Sequence, residues 1–216
     1  MTASGDAVPV VLDDYPRRQH LEFYRRYPNP FYSVTFELEV TALLRRLKAD
    51  GLPVYAGLVW AFHRALQGLP AFRVRLAGED VVMYERLQLG LTAPGPRGTF
   101  CFVGLQWDAA PLVFLPRAAE AMQKALVGGD LSGGGEAPDA AYYTSLPRVP
   151  FTGFTHAPLA DPEAGQPEVA FGRFNNFDLA AGVRVPVGVQ VNHMYVDGSD
   201  LGDLYEAAAE SFARAF

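Results

Sequence analysis

One stretch of the chain brings together residues that could move a proton. In Val189-Gln190-Val191-Asn192-His193-Met194-Tyr195-Val196-Asp197-Gly198 an alternating pattern runs up to His193 and then meets Asp-Gly, a turn-forming pair. A histidine at a strand end is well placed to project into a cleft. Its imidazole titrates near working pH, so the chemistry it suits is general acid–base catalysis. Spacing alone favours an ordinary strand-end histidine beside a turn, since a short His-x-x-x-Asp-Gly arises often by chance. His20, His63 and His156 complete the set of four, and none stands at ligand spacing from a second His or Cys, so no zinc or iron site is expected. Asp197-Gly198-Ser199-Asp200 resembles the start of a calcium loop, but its twelfth position is Ala208, which rejects that reading. No serine sits in a nucleophile elbow. The paired arginines at 17–18, 25–26 and 45–46 read as solvated helix faces before they read as an anion surface.

The elements that would position these residues follow from hydrophobic period and turn chemistry. Residues 1–14 read as a loose lead-in, and Tyr15 to Arg26 as a short helix stopped by Tyr27-Pro28-Asn29-Pro30. Phe31 to Val40 alternates as a strand. Ala42–Ala49 and the strongly apolar Val54–Leu66 predict two helices. Phe72–Leu76 and Val81–Tyr84 flank Gly78-Glu79-Asp80 as a hairpin. Thr99–Trp107 predicts a strand and Pro116–Leu126 a helix. Gly128 to Pro138 holds five glycines and reads as a mobile loop; it lacks the Gly-Lys-Ser/Thr ending of a phosphate cradle. Ala141–Leu146, Phe151–His156, Glu168–Phe174 and Val183–His193 predict four more strands, and Ser199–Phe216 a closing amphipathic helix. The fold class is mixed α/β with hairpin-linked strands, in one domain over 1–216, without the regular alternation of a doubly wound sheet.

Composition bounds the function. The chain has 216 residues, half of them hydrophobic, and a net charge of −6. That apolar share builds a globular core, and the acidic balance argues against nucleic acid as a partner. A single cysteine, Cys101, excludes an internal disulfide and a thiol relay. No apolar run reaches the ~20 residues that span a bilayer, and the first residues carry no signal pattern, so a cytoplasmic protein with no membrane partner is expected.

His193-Met194-Tyr195-Val196-Asp197-Gly198 resembles the His-x-x-x-Asp-Gly signature of the chloramphenicol acetyltransferases, shared with the acyltransferase domains of 2-oxoacid dehydrogenase complexes. Four further stretches resemble the chloramphenicol group in the same order: Arg17-Arg18-Gln19-His20-Leu21-Glu22-Phe23-Tyr24-Arg25, Leu38-Glu39-Val40-Thr41, Pro70-Ala71-Phe72-Arg73, and Pro147-Arg148-Val149-Pro150-Phe151-Thr152-Gly153-Phe154. The resemblance spans roughly residues 10–212. It implies a mixed sheet with helices packed on it, an α+β sandwich assembled as a homotrimer with active sites between subunits. It implies acetyl transfer from acetyl-CoA, a co-substrate and not a bound cofactor, to a small-molecule alcohol.

Residue by residue, the resemblance makes His193 the base that takes the acceptor's hydroxyl proton and Thr144 the hydroxyl that bonds the tetrahedral oxyanion. It makes Asp197 and Arg17 a buried ion pair that supports the catalytic loop. Tyr24 falls on an acceptor contact, and Pro28, Pro30, Tyr32 and His156 on acceptor-pocket positions. It places Tyr24 and Thr144 together on the subunit facing His193. The chain departs from the family at Asn192, Arg148, Ala170 and Ser199-Asp200, and at His156, where the drug enzymes carry an apolar residue. These departures leave the acceptor open, with chloramphenicol one possibility. An alternative keeps the fold and drops the chemistry: a binding protein that sequesters an antibiotic or metabolite. A lipoyl-type acyltransferase core is disfavoured: it would need a partner carrier domain and normally carries linker-joined N-terminal domains, and these 216 residues hold no linker.

Overall fold

A computed structural model describes residues 7–132, 137–176 and 178–216. The chain builds β1 (Ala7–Val10), α1 (Arg18–Tyr24), β2 (Phe31–Glu39), α2 (Thr41–Ala49), α3 (Val54–Gln67), β3 (Val74–Ala77), β4 (Asp80–Tyr84), β5 (Gln88–Pro94), β6 (Phe100–Gln106), α4 (Pro111–Gly128), β7 (Ala140–Ser145), β8 (Glu168–Phe171), β9 (Arg184–Asn192) and α5 (Gly198–Arg214). β1, β4 and β3 form a small antiparallel sheet. The large sheet runs β2-β9-β8-β7-β5-β6, with β5–β7 and β7–β8 parallel and the other pairs antiparallel. This is the expected mixed sheet with packed helices.

The two faces of the large sheet differ because the side-chain period of a strand is two. Leu38, Val187, Val189, Val169, Phe171, Tyr143, Leu89, Leu91 and Val103 are buried on one face. The helices cover that face, and Trp60, Phe62, Phe114 and Phe212 fill the layer between. The opposite face is polar. Its central cross-strand row runs Ser33, Gln190, Glu168, Tyr142, Gly90, Gly104. Gly90 is required there, since a Cβ would stand 2.4 Å from the Tyr142 ring.

Several sequence expectations are corrected here. The helix expected from Tyr15 occupies only Arg18–Tyr24. Part of the lead-in is a strand: Ala7–Val10 pairs with β4. β5 went unread, because Gly90 and Pro94 interrupt its pattern. Phe151–His156 is not a strand but an irregular segment laid across the polar face. Its amides are met by side chains instead of a ladder: Phe154 N donates to Thr35 Oγ1 at 3.2 Å and His156 N to Gln190 Oε1 at 3.0 Å. α4 begins at Pro111 and continues through Pro116, which forgoes one helical bond. Residues 1–6 of the lead-in and 133–136 of the glycine loop lie outside the described residues.

Candidate active site

β9 ends at Asn192, and this buried residue builds the turn that carries His193. Its Oδ1 accepts from Met194 N at 2.9 Å, and its Nδ2 donates to the carbonyls of Pro162 and Ala164 at 2.8 and 2.9 Å. His193 N donates to Pro30 O at 3.0 Å, tying the turn to the residue that enters β2. The imidazole lies between two phenol rings. Tyr24 stacks on it at 4.3 Å between centroids and 11° between planes, and Tyr32 stands at 4.5 Å. Tyr32 Oη donates to Val196 O at 3.3 Å. His193 Nδ1 is buried without a hydrogen-bond partner among the described residues, while the residue is only half-buried. Pro30 is buried beneath the turn; Pro28 is exposed in the preceding loop.

Immediately after the turn, Asp197 caps α5. Its carboxylate accepts from Ser199 N at 2.8 Å and Asp200 N at 3.3 Å, and Asp200 Oδ2 accepts from Asp197 N at 2.8 Å, a reciprocal capping box. Arg17 stands against both acids, Nη1 at 2.8 Å from Asp197 and Nη2 at 2.5 Å from Asp200. The contact with Asp197 is a close charge pair. Arg17 beside it holds the Asp197 carboxyl well below the usual carboxylate range. The expected pair of Arg17 and Asp197 is therefore a triad. It is partly exposed, with 31% of the Asp197 side chain accessible, so it is not the buried pair the resemblance implied. Asp200 is the member that sequence reasoning missed, although Asp three residues after an Asp cap is a readable signal.

Thr144 lies elsewhere. It lines a cavity of about 820 Å³ together with Tyr55, Thr92, Phe100, Pro147 and Phe174. Its hydroxyl meets that of Thr92 at 2.7 Å, and Tyr55 Oη donates to Tyr143 O at 3.0 Å. Burial raises the Tyr55 phenol pKa, so it stays protonated. The register measures its distance from His193. Thr144 pairs with Ala170 and Ala170 with Gly188, and His193 is five residues further along the chain. Two strand spacings and five residue rises give about 19 Å between the two Cα atoms. Within one chain the two groups therefore stand well apart. Tyr24 goes with His193 on the same chain, not with Thr144, so the expected grouping of Tyr24 and Thr144 is corrected.

His156 sits on the polar face, flanked by Phe154 at 4.8 Å. Its Nδ1 stands 3.8 Å from Glu168 Oε1, and its Nε2 is buried without a partner among the described residues. Glu168 Oε2 accepts from Gln190 Nε2 at 2.8 Å, and Gln190 Oε1 accepts from Ser33 Oγ at 3.0 Å. Burial pushes the Glu168 carboxyl up to about 7 and the His156 imidazole down to about 4. Glu168 went unnoticed in the sequence; the signal was a carboxylate opening an otherwise apolar strand. No group of three or more His, Cys, Asp or Glu is placed to hold a metal among the described residues. No described helix is long and apolar enough to cross a membrane.

Residues 8–207 match the family model described as chloramphenicol acetyltransferase. The chain is 30% identical over 193 residues to a chloramphenicol acetyltransferase of Streptomyces acrimycini, covering 88% of this chain and 87% of that one. Among solved structures it is similar to a chloramphenicol acetyltransferase with a TM-score of 0.86, at 19% identity and over 96% of this chain and all of the other. A dihydrolipoamide acetyltransferase of Azotobacter vinelandii aligns at 16% identity with a TM-score of 0.64, over 90% of this chain and 86% of that one. Both structural likenesses concern the fold.

Proposed function

This chain belongs to the chloramphenicol acetyltransferase family and is an acyltransferase, and from that premise we propose that it moves an acetyl group from acetyl-CoA to a hydroxyl of a small molecule such as chloramphenicol. The observation that carries the proposal is the imidazole of His193, clamped between Tyr24 and Tyr32 at a strand end. A stacked ring loses little further freedom when substrate arrives, which keeps a base in position. With Nδ1 buried, Nε2 is the nitrogen left to take the acceptor's O–H proton. The freed oxygen attacks the thioester carbon. Negative charge then collects on the former carbonyl oxygen, and the Thr144 hydroxyl donates to it. Collapse breaks the C–S bond, and the CoA sulfur leaves with the proton held by His193.

The same reading includes a shared site. Because His193 and Thr144 of one chain are about 19 Å apart, the base of one copy works with the donor of another. Three head-to-tail copies close a ring and complete three such sites. Asp197, Asp200 and Arg17 hold the turn and transfer no proton.

The test is CoA release, followed with a thiol reagent in the presence of acetyl-CoA and chloramphenicol. Thiol appears with the drug and not without it. His193→Ala keeps the fold and loses at least about 10²-fold in rate, as loss of a general base requires. A variant within tenfold of wild type, free of host enzyme, overturns the mechanism.

A further inference from the structure

Glu168 is a buried carboxyl on the polar sheet face, and no Lys or Arg lies within ion-pair distance of it among the described residues. It stands close to the proposed chemistry. Glu168 pairs with Tyr142, two residues before Thr144 on the neighbouring strand. One strand spacing and two residue rises put the Glu168 and Thr144 Cα atoms about 8 Å apart on one face. The Tyr142 ring lies over Gly90, on the strand away from Glu168.

The groups gathered here are unbalanced. Gln190 spends its Nε2 on Glu168 Oε2 and its Oε1 on Ser33 and His156 N. Glu168 Oε1 accepts no hydrogen bond among the described residues; His156 Nδ1, at 3.8 Å, is too far to donate one. Burial keeps the His156 imidazole neutral, and its buried Nε2 has no hydrogen-bond partner among the described residues. What remains open is Glu168 Oε1, an acceptor on a carboxyl with no Lys or Arg beside it among the described residues. A protonated amine complements both, since it brings N–H donors and the positive charge that a buried carboxylate needs.

We propose that Glu168, backed by Gln190 and flanked by His156, selects an acceptor that carries a protonated amine near its hydroxyl. The assignment rests on the acetyl-transfer reading above and names its acceptor class. The amine is held and not acetylated, because it is paired to the carboxylate.

A matched pair of alcohols tests it: chloramphenicol, whose nitrogen is a neutral amide, and its N-deacylated form, the same diol with a free amine. Wild type is expected to favour the amine diol in kcat/KM by at least tenfold, with the acetyl group found on oxygen. Glu168→Gln, which keeps the shape and the Gln190 contact, is expected to erase that preference without changing the melting temperature. If the Gln variant does not fold, Glu168→Asp, which keeps the charge and shortens the reach, must lower the preference instead. Calorimetric binding of the two diols with CoA present reads the same preference without turnover. Selective binding that depends on Glu168, with no acetyl transfer, would fail the activity reading and leave this assignment standing. An amine preference that is absent in wild type, or unchanged in Glu168→Gln, overturns it.

Discussion

His193 and Thr144 sit on one sheet about 19 Å apart, and different forces hold them. The His193 turn is contiguous in sequence and dense in specific contacts. Asn192 bonds shape it, Pro30 anchors its amide, two phenol rings fix the imidazole, and Arg17 ties it to the cap of α5. The Thr144 region is a wall of an open cavity, assembled from α3, β5, β6, β7 and β8, which are distant in sequence. The Thr144 hydroxyl meets Thr92 there, and Tyr55 Oη bonds the Tyr143 carbonyl. A general base has to be held at one angle to take a proton, and the turn supplies that rigidity. An oxyanion donor needs a hydroxyl that can rotate toward charge as it develops, in a space that admits substrate. The contrast suits two halves of a site that meet only when copies assemble.

The largest effect should come from emptying the cavity side of its donor. Thr144→Ala is expected to cut kcat by about 10²–10³-fold with little change in acceptor KM, because the hydroxyl acts mainly on charge in the tetrahedral state. Thr144→Ser keeps the donor and should retain most of the rate. Steady-state kinetics on both variants decides it: equal behaviour of Ala and Ser would make Thr144 only a wall residue.

The turn side should respond in stability before chemistry. Asp197→Ala removes the cap of α5 and one partner of Arg17, at a cost of about 1 kcal/mol, seen as a fall of about 2–4 °C in melting temperature. Asp197→Asn should lose less, because asparagine also caps and Asp200 still faces Arg17. A pair made of Arg17 and Asp197 alone would instead make the Asn variant lose stability heavily. Calorimetric melting of the two variants separates these cases; no difference between Ala and Asn would remove the cap from the account.

The sequence made the turn half legible and hid much of the cavity half, for a physical reason. His193, Asp197 and Gly198 lie within six residues, so local pattern exposes them. Most helices were readable from apolar spacing, and the long strands β2 and β9 from alternation. Thr92 belongs to β5, whose Gly90 and Pro94 break the strand pattern, and β5 pairs with β7 across a helix and a long connection. Nothing local announces that Thr92 meets Thr144, that Glu168 faces His156, or that residues 151–156 cross a sheet face instead of joining an edge. Those facts arise from strand order, which a chain reveals only when it is folded.

Mixing two inactive variants tests most directly whether the halves come from different copies. His193→Ala and Thr144→Ala are unfolded together, refolded, and assayed for CoA release beside each variant refolded alone. If sites lie between copies, about one interface in four of a statistical mixture carries His193 from one chain and Thr144 from its neighbour, both intact. Activity should then recover to about a quarter of wild type, far above either variant. If both groups served from the same chain, every site would keep one defect, and well-folded mixed assemblies with no recovered activity would contradict the shared site.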